Sequence, residues 1–286
     1  MKGEYCIKPG SSVRLSDHDA AGTGGMARRA AESLSFRIET EIATLQELLY
    51  AARLNSVLIV LQGMDTSGKD GTIKKVMEPV NPLGVRVEAF KVPTPLEAAH
   101  DFLWRVHRQT PQIGYITIFN RSHYEDVLVA RVHELVPKSL LRKRYGHIND
   151  FERLLTDHGT IILKFFLHIS REEQERRLLA REHEDGKAWK LSMGDWSERR
   201  HWKAYQHAYE EALSKTSTLY APWRIVPADK KWARNHAIST AIIDVLGAHK
   251  KRWLSAIERR GRETRAQLEQ LRGGSNGAPA RQAATP

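Results

Sequence analysis

The chain has 286 residues, 41% hydrophobic and 28% charged, with 19 Gly, 11 Pro and a formal net charge of +11. That length and balance suit one sizeable α/β domain with an insertion and exclude a collagen-like or wholly disordered chain. No apolar run approaches the ~18 residues of a membrane span, Met1-Lys-Gly-Glu-Tyr-Cys lacks a signal-peptide core, and the single cysteine, Cys6, has no internal partner, so a reducing, cytoplasmic location is expected.

Residues 1–27 read as irregular. An amphipathic helix follows to about Asn55, with Ile38, Ile42, Leu45 and Leu49 at three- and four-residue intervals. Ser56–Gln62 has no polar alternation and reads as a strand buried on both faces. A glycine turn and a helix from Gly71 to about Pro79 come next. A second strand is expected over Val85–Phe90, a helix over Glu97–Thr110, and a third strand over Tyr115–Phe119. Leu128–Asp157 is mostly helical, Ile161–Ile169 is the fourth strand and Arg224–Pro227 a short fifth. Strands alternating with helices predict a five-stranded parallel sheet covered on both faces. The expected division is one domain over 1–250, with an Arg-, Lys- and Trp-rich insertion before the fifth strand, then an extension over 251–286. Residues 248–286 carry nine Lys or Arg against three Glu, a net +6 of the total +11. Within them, Lys250–Arg272 reads as a solvated helix and the Gly273-Gly-Ser-Asn-Gly-Ala stretch onward as disordered. No zinc-finger, RRM-like or KH-like pattern accompanies this charge, so nucleic acid is not the expected partner.

Gly63-Met-Asp-Thr-Ser-Gly68-Lys69-Asp-Gly71 fits G-x-x-x-x-G-K between a strand and a helix. In such a loop glycines let successive N–H groups face one anion, the helix adds its positive end, and the lysine reaches a terminal phosphate. Gly63, Thr66, Ser67, Gly68, Asp70 and Gly71 are therefore candidate phosphate contacts, with Lys69 as the charge. Asp70 stands where this loop usually has Ser or Thr for magnesium. Asp65 lies inside the loop, where a second negative charge calls for a metal or a proton, unless its carboxylate points outward into solvent.

The third strand runs into Asn120-Arg-Ser-His-Tyr-Glu-Asp126. In open parallel sheets, residues after the carboxyl ends of strands share one crevice. Arg121 offers a planar fork for phosphate oxygens, and Glu125 and Asp126 offer hard oxygen ligands or helix-capping charges. His123 reads as a packing residue.

Together, the glycine loop and Phe119-Asn-Arg-Ser-His-Tyr-Glu-Asp126 resemble the polyphosphate kinase 2 family. Lys91-Val-Pro-Thr-Pro95, Asp101-Phe-Leu-Trp-Arg105, Trp189-Lys190 and Ala221-Pro-Trp-Arg-Ile-Val-Pro-Ala-Asp229-Lys-Lys-Trp232 agree, and the similarity spans about residues 30–250. The resemblance implies a P-loop kinase fold like that of thymidylate kinase, with a helical lid over about 171–200. It also implies phosphoryl transfer between inorganic polyphosphate and nucleotides with Mg²⁺, for which Mn²⁺ can substitute, and a dimer or tetramer. Many members have Asp-Arg-Ser-Trp-Tyr-Asn-Arg where this chain has residues 120–126. That departure resembles the branch that phosphorylates both AMP and ADP, with guanine nucleotides as further candidates. The implied catalytic residues are Asp65, Lys69, Arg121 and Asp126, with Glu125 marking the branch. Because Asn120 replaces an acid, the expected metal ligands are Asp65, Glu125 and Asp126.

In the insertion, Ser170 and Glu173 have the spacing of a capping box, and Arg177 and Arg181 share a helix face. Arg177, Arg181, Lys187 and Lys190, with Asn120, are the candidate lid and nucleotide contacts, set against an exposed helix laced with Glu–Arg pairs. Trp189, Trp196 and Trp202 read as packing or as a base platform. Lys74 and Lys75 either extend a cationic track with Lys69, Lys91 and Arg121 or are ordinary surface lysines. Two other functions remain open: an ATP-dependent kinase on the same scaffold, which Asp70 argues against, and a non-catalytic polyanion-binding module.

Overall fold

The structure, a computed structural model, describes residues 6–183 and 193–275. Five strands, β1 (Ser56–Gln62), β2 (Val85–Ala89), β3 (Ile116–Asn120), β4 (Thr160–His168) and β5 (Trp223–Pro227), form one sheet in the order β2-β3-β1-β4-β5. Every pairing is parallel, with Ile59 of β1 level with Ile118 and Leu163 of its neighbours. All of β1 is buried, as its unbroken apolar run predicts. Two helical groups flank the sheet. One comprises α1 (Arg28–Ala52), α2 (Lys69–Met77), α10 (Lys231–Gly247) and α11 (Lys250–Ser275). The other comprises α5 (Glu125–Val132), α6 (Lys138–Asp157) and α9 (Trp202–Thr216). Because β1 lies between β3 and β4, the turns after β1 and β3 open into a common crevice at the carboxyl edge.

Several boundaries depart from expectation for local reasons. The helix expected over Glu97–Thr110 is two short turns, α3 (Pro95–Ala98) and α4 (Trp104–His107). Between them the Asp101 carboxylate accepts from the Leu103 N–H, a side-chain turn that competes with the helix. The long helix over 128–157 is broken at Pro137 into α5 and α6, with Glu134 in the left-handed region. The amino-terminal segment is irregular but anchored: the Ile7 N–H donates to the Trp223 carbonyl, and Ile7, Val13 and Leu15 join the core.

The expected boundary at residue 250 is corrected. Trp253 at the start of α11 is fully buried and donates to Asn55, and Arg260 donates to the carbonyls of Ala51 and Ala52 at the end of α1. The first half of α11 thus belongs to the domain, and from Arg262 to Arg272 the helix is exposed. The insertion between β4 and β5 contains α7 (Arg171–His183), α8 (Met193–Arg199) and α9. Lys187, Lys190 and Trp189 lie outside the described residues, as does the tail beyond Ser275. Among the described residues, no helix is long and apolar enough to cross a membrane.

Candidate active site

The chain leaves β1 through Gly63 and re-enters a helix at Lys69. A Cβ at Gly63 would stand 2.8 Å from the Leu167 carbonyl oxygen, and Gly68 has φ +99, so the loop needs glycine at both places. Thr66 also adopts a left-handed φ of 63, which completes the curl. Lys69 is buried in the concave side, its Nζ donating to the carbonyl of Gly63 at 2.8 Å. Burial pulls its pKa below the usual lysine value, against the opposing influence of Asp65.

The turn after β3 meets this loop. Arg121, at φ 62, donates to the Asp65 carboxylate at 2.7 Å and lies 3.9 Å from Glu125. A left-handed arginine costs about 1 kcal/mol, and here it turns the guanidinium toward the loop. The charge expected to tolerate Asp65 was a metal or a proton; in this structure it is Arg121. Asn120 donates to Asp70 at 2.9 Å, joining the two turns a second time.

These groups line a cleft of about 530 Å³. Of the residues expected there, Asp65, Thr66, Gly68, Lys69, Asp70, Gly71, Lys91, Asn120, Arg121 and Arg181 all face it. Ser67 does not: it is fully buried, and its hydroxyl has no partner among the described residues.

Four expectations are corrected. Asp65, Glu125 and Asp126 do not form a metal-ligand group. Neighbouring helical residues project about 100° apart: Glu125 is drawn toward Arg121, whereas Asp126 lies 3.6 Å from both Arg105 and Arg144, and neither belongs to the cleft lining. Burial raises the pKa of both carboxyls, for Glu125 against Arg121 and Lys69, for Asp126 against Arg144 and Arg105. Lys75 turns toward α1 and pairs with Glu39 and Glu78, and Lys74 is exposed outside the cleft lining; neither continues the track. Arg177 is not in the cleft. It lies behind the loop, donating to the carbonyls of Thr66, Ser67, Ala228 and Asp229. The Ser170–Glu173 box is half formed, because Glu173 turns to Arg176 and Arg177 while the Ser170 N–H donates to Asp229.

Phosphate-bound Mg²⁺ needs one or two protein carboxylates, the rest of its shell being water and phosphate oxygen. Asp65 and Asp70 both line the cleft, so the donor set fits such an ion through the loop carboxylates rather than through α5.

Three further groups shape the site. Arg234 of α10 donates to the Ser67 carbonyl at 3.1 Å from a position 2% exposed. Arg105 donates to the Lys91 carbonyl and so holds the loop after β2. Beneath the β3 turn, Lys164 of β4 donates to Glu152, Tyr124 and the Thr216 carbonyl, with Lys164, Glu152 and Tyr124 all fully buried. Lys164 sits in the apolar run Ile161–Ile169, where a charged residue is itself a signal of a buried partner.

Residues 30–253 match the family model of polyphosphate kinase 2, and the chain belongs to that family. It is 51% identical over 246 residues to the AMP/ADP-polyphosphate phosphotransferase of Meiothermus ruber, covering 85% of this chain and 92% of that one. An ADP-polyphosphate phosphotransferase of Rhodopseudomonas palustris is 42% identical over 84% of this chain and 87% of its own length. The crystal structure of polyphosphate kinase 2 from Arthrobacter aurescens TC1 superposes with a TM-score of 0.83 at 42% identity, covering 86% of this chain and 89% of that one.

Proposed function

We propose that the chain transfers the terminal phosphoryl group of inorganic polyphosphate to AMP and ADP. The observation that carries this reading is the convergence of Asp65, Lys69 and Arg121 on one cleft at the mouth of the glycine loop. Polyphosphate has no base to recognise, so backbone N–H groups and cations suffice for its capture.

An oxygen of the acceptor phosphate attacks the terminal phosphorus in line, the bridging P–O bond breaks, and polyphosphate leaves one unit shorter. The acceptor is already ionised, so no side chain is required as general base. Lys69 and Arg121 stabilise the charge on the transferring group, and they do so without reorganising water in a site they already occupy. Asp65 and Asp70 would hold Mg²⁺, or Mn²⁺ in its place, which supplies further neutralisation of phosphate charge when bound. Arg181 faces the cleft from α7 and is placed to approach the substrate from the insertion.

Two observations favour polyphosphate over ATP as donor: Asp70 replaces the usual hydroxyl after the lysine, and the relatives compared are named polyphosphate phosphotransferases. Guanine nucleotides and a dimeric or tetrameric assembly belong to the same proposal. The test is transfer to AMP, ADP, GMP and GDP from long-chain polyphosphate, with Mg²⁺, Mn²⁺ or chelator and no ATP. Product with AMP or ADP is expected only with a divalent ion; none with any acceptor would refute the reading. Sedimentation of the same sample reads the assembly.

A further inference from the structure

Arg234 presses on the phosphate loop from behind, and the transfer described above gives it no task. Its Nη1 donates to the Ser67 carbonyl at 3.1 Å, and its Nε and Nη2 donate to the side-chain oxygen of Asn235 at 3.1 and 2.9 Å. The contact with the loop is close enough that a Cβ at Gly68 would stand 3.0 Å from the guanidinium carbon. No carboxylate pairs with it among the described residues, whereas its neighbour Arg177 has Glu173 at 2.7 Å.

Burial, and then the repulsion of Arg177, push the Arg234 pKa down to about 10. A buried cation without a counter-ion is unfavourable by several kcal/mol unless a negative charge arrives nearby. The geometry also orients the loop. In a trans peptide the C=O and N–H point in opposite directions. A guanidinium behind the loop that holds the Ser67 carbonyl therefore turns the Gly68 N–H forward, to the side where Lys69 sits. Arg177 adds a second bond to the Ser67 carbonyl at 3.2 Å and one to the Thr66 carbonyl at 2.9 Å, while the Ser67 N–H is taken up by the Met64 carbonyl at 3.1 Å.

We propose that Arg234 is a positioning residue for phosphate capture, holding the Ser67–Gly68 peptide with its N–H toward the anion and supplying buried positive charge that a bound polyanion balances. This rests on the reading of residues 63–71 as the phosphate cradle.

The test uses the full-length chain and inorganic tripolyphosphate as probe, with calorimetric binding and thermal unfolding of wild type, Arg234→Gln, Arg234→Lys and Lys69→Ala. Arg234→Gln is expected to keep its unliganded Tm within a few degrees of wild type. Its affinity for tripolyphosphate should fall on the order of tenfold or more, and the ligand-induced rise in Tm should shrink with it. Arg234→Lys, which keeps the charge but not the fork, should recover part of that rise. A folded Arg234→Gln that binds tripolyphosphate as wild type does, while Lys69→Ala does not, overturns the role of Arg234 alone. Arg234→Gln that is unfolded without ligand also overturns it, because the residue is then structural. Undiminished binding in both Arg234→Gln and Lys69→Ala overturns the cradle reading, and this inference with it.

Discussion

The charges on the two sides of the phosphate loop are of the same kinds but sit in different surroundings. On the cleft side, Arg121 keeps 42% of its side chain exposed and pairs with Asp65. Behind the loop, Arg177 and Arg234 are buried; Arg177 is bonded largely to backbone carbonyls, and Arg234 to the Ser67 carbonyl and the Asn235 side chain. The two lysines repeat the contrast. Lys69 faces the cleft with only carbonyl oxygens in reach, and Lys164, under the β3 turn, is fully enclosed by Glu152, Tyr124 and Thr216. A cation with water on one side can exchange its partner when a phosphate arrives. A cation whose donors all end on buried protein oxygens cannot, and it fixes shape instead.

That contrast is breakable by substitution, most severely at Lys69. Lys69→Ala should lower kcat/KM for ADP and polyphosphate on the order of 10³-fold, as for loss of a principal transition-state cation, with little change in Tm. Lys164→Met should do the reverse. It leaves Glu152 buried without its partner, a loss of about 3–5 kcal/mol in unfolding free energy that urea denaturation reads, and Lys164→Met with Glu152→Leu should restore most of it. If the single variant unfolds like wild type, the buried pair does not hold the β3 turn. Arg121→Ala ranks next, with a fall on the order of 10²-fold in kcat/KM and a stability change within about 0.5 kcal/mol; Arg121→Lys should recover only part of the rate because the fork is lost. Smallest is Lys75→Ala, since Lys75 faces Glu39 and Glu78 on the α1 side. Its KM for polyphosphate should stay within about twofold and its stability within about 0.5 kcal/mol. A large rise in that KM would return Lys75 to the cationic track.

Much of the cleft was legible because its residues are contiguous. Residues 63–71 follow a buried strand and precede a helix, and that setting alone places their backbone. Arg121 was legible through the rule that strand ends share a crevice. Asp126 was not: its neighbour Glu125 has the same chemistry, and the projection of each depends on where α5 begins. Arg177 misled for a related reason. Its four-residue spacing from Arg181 is correct for one helix face, yet Arg177 is buried under the loop while Arg181 reaches the cleft. Arg234 carried no signal at all, being a lone arginine 165 residues beyond Lys69 in the chain.

By itself the sequence determined the order of strands and helices, the curl of the glycine loop and the family, because period, glycine placement and contiguous motifs act over a few residues. Only the tertiary structure decided which charges meet the cleft and which lie behind it. Charge pairing is set by burial and by neighbours distant in the chain: Asp65 finds Arg121 at 2.7 Å, Lys164 finds Glu152 at 2.6 Å, and Ser67 finds Arg234 across 167 positions.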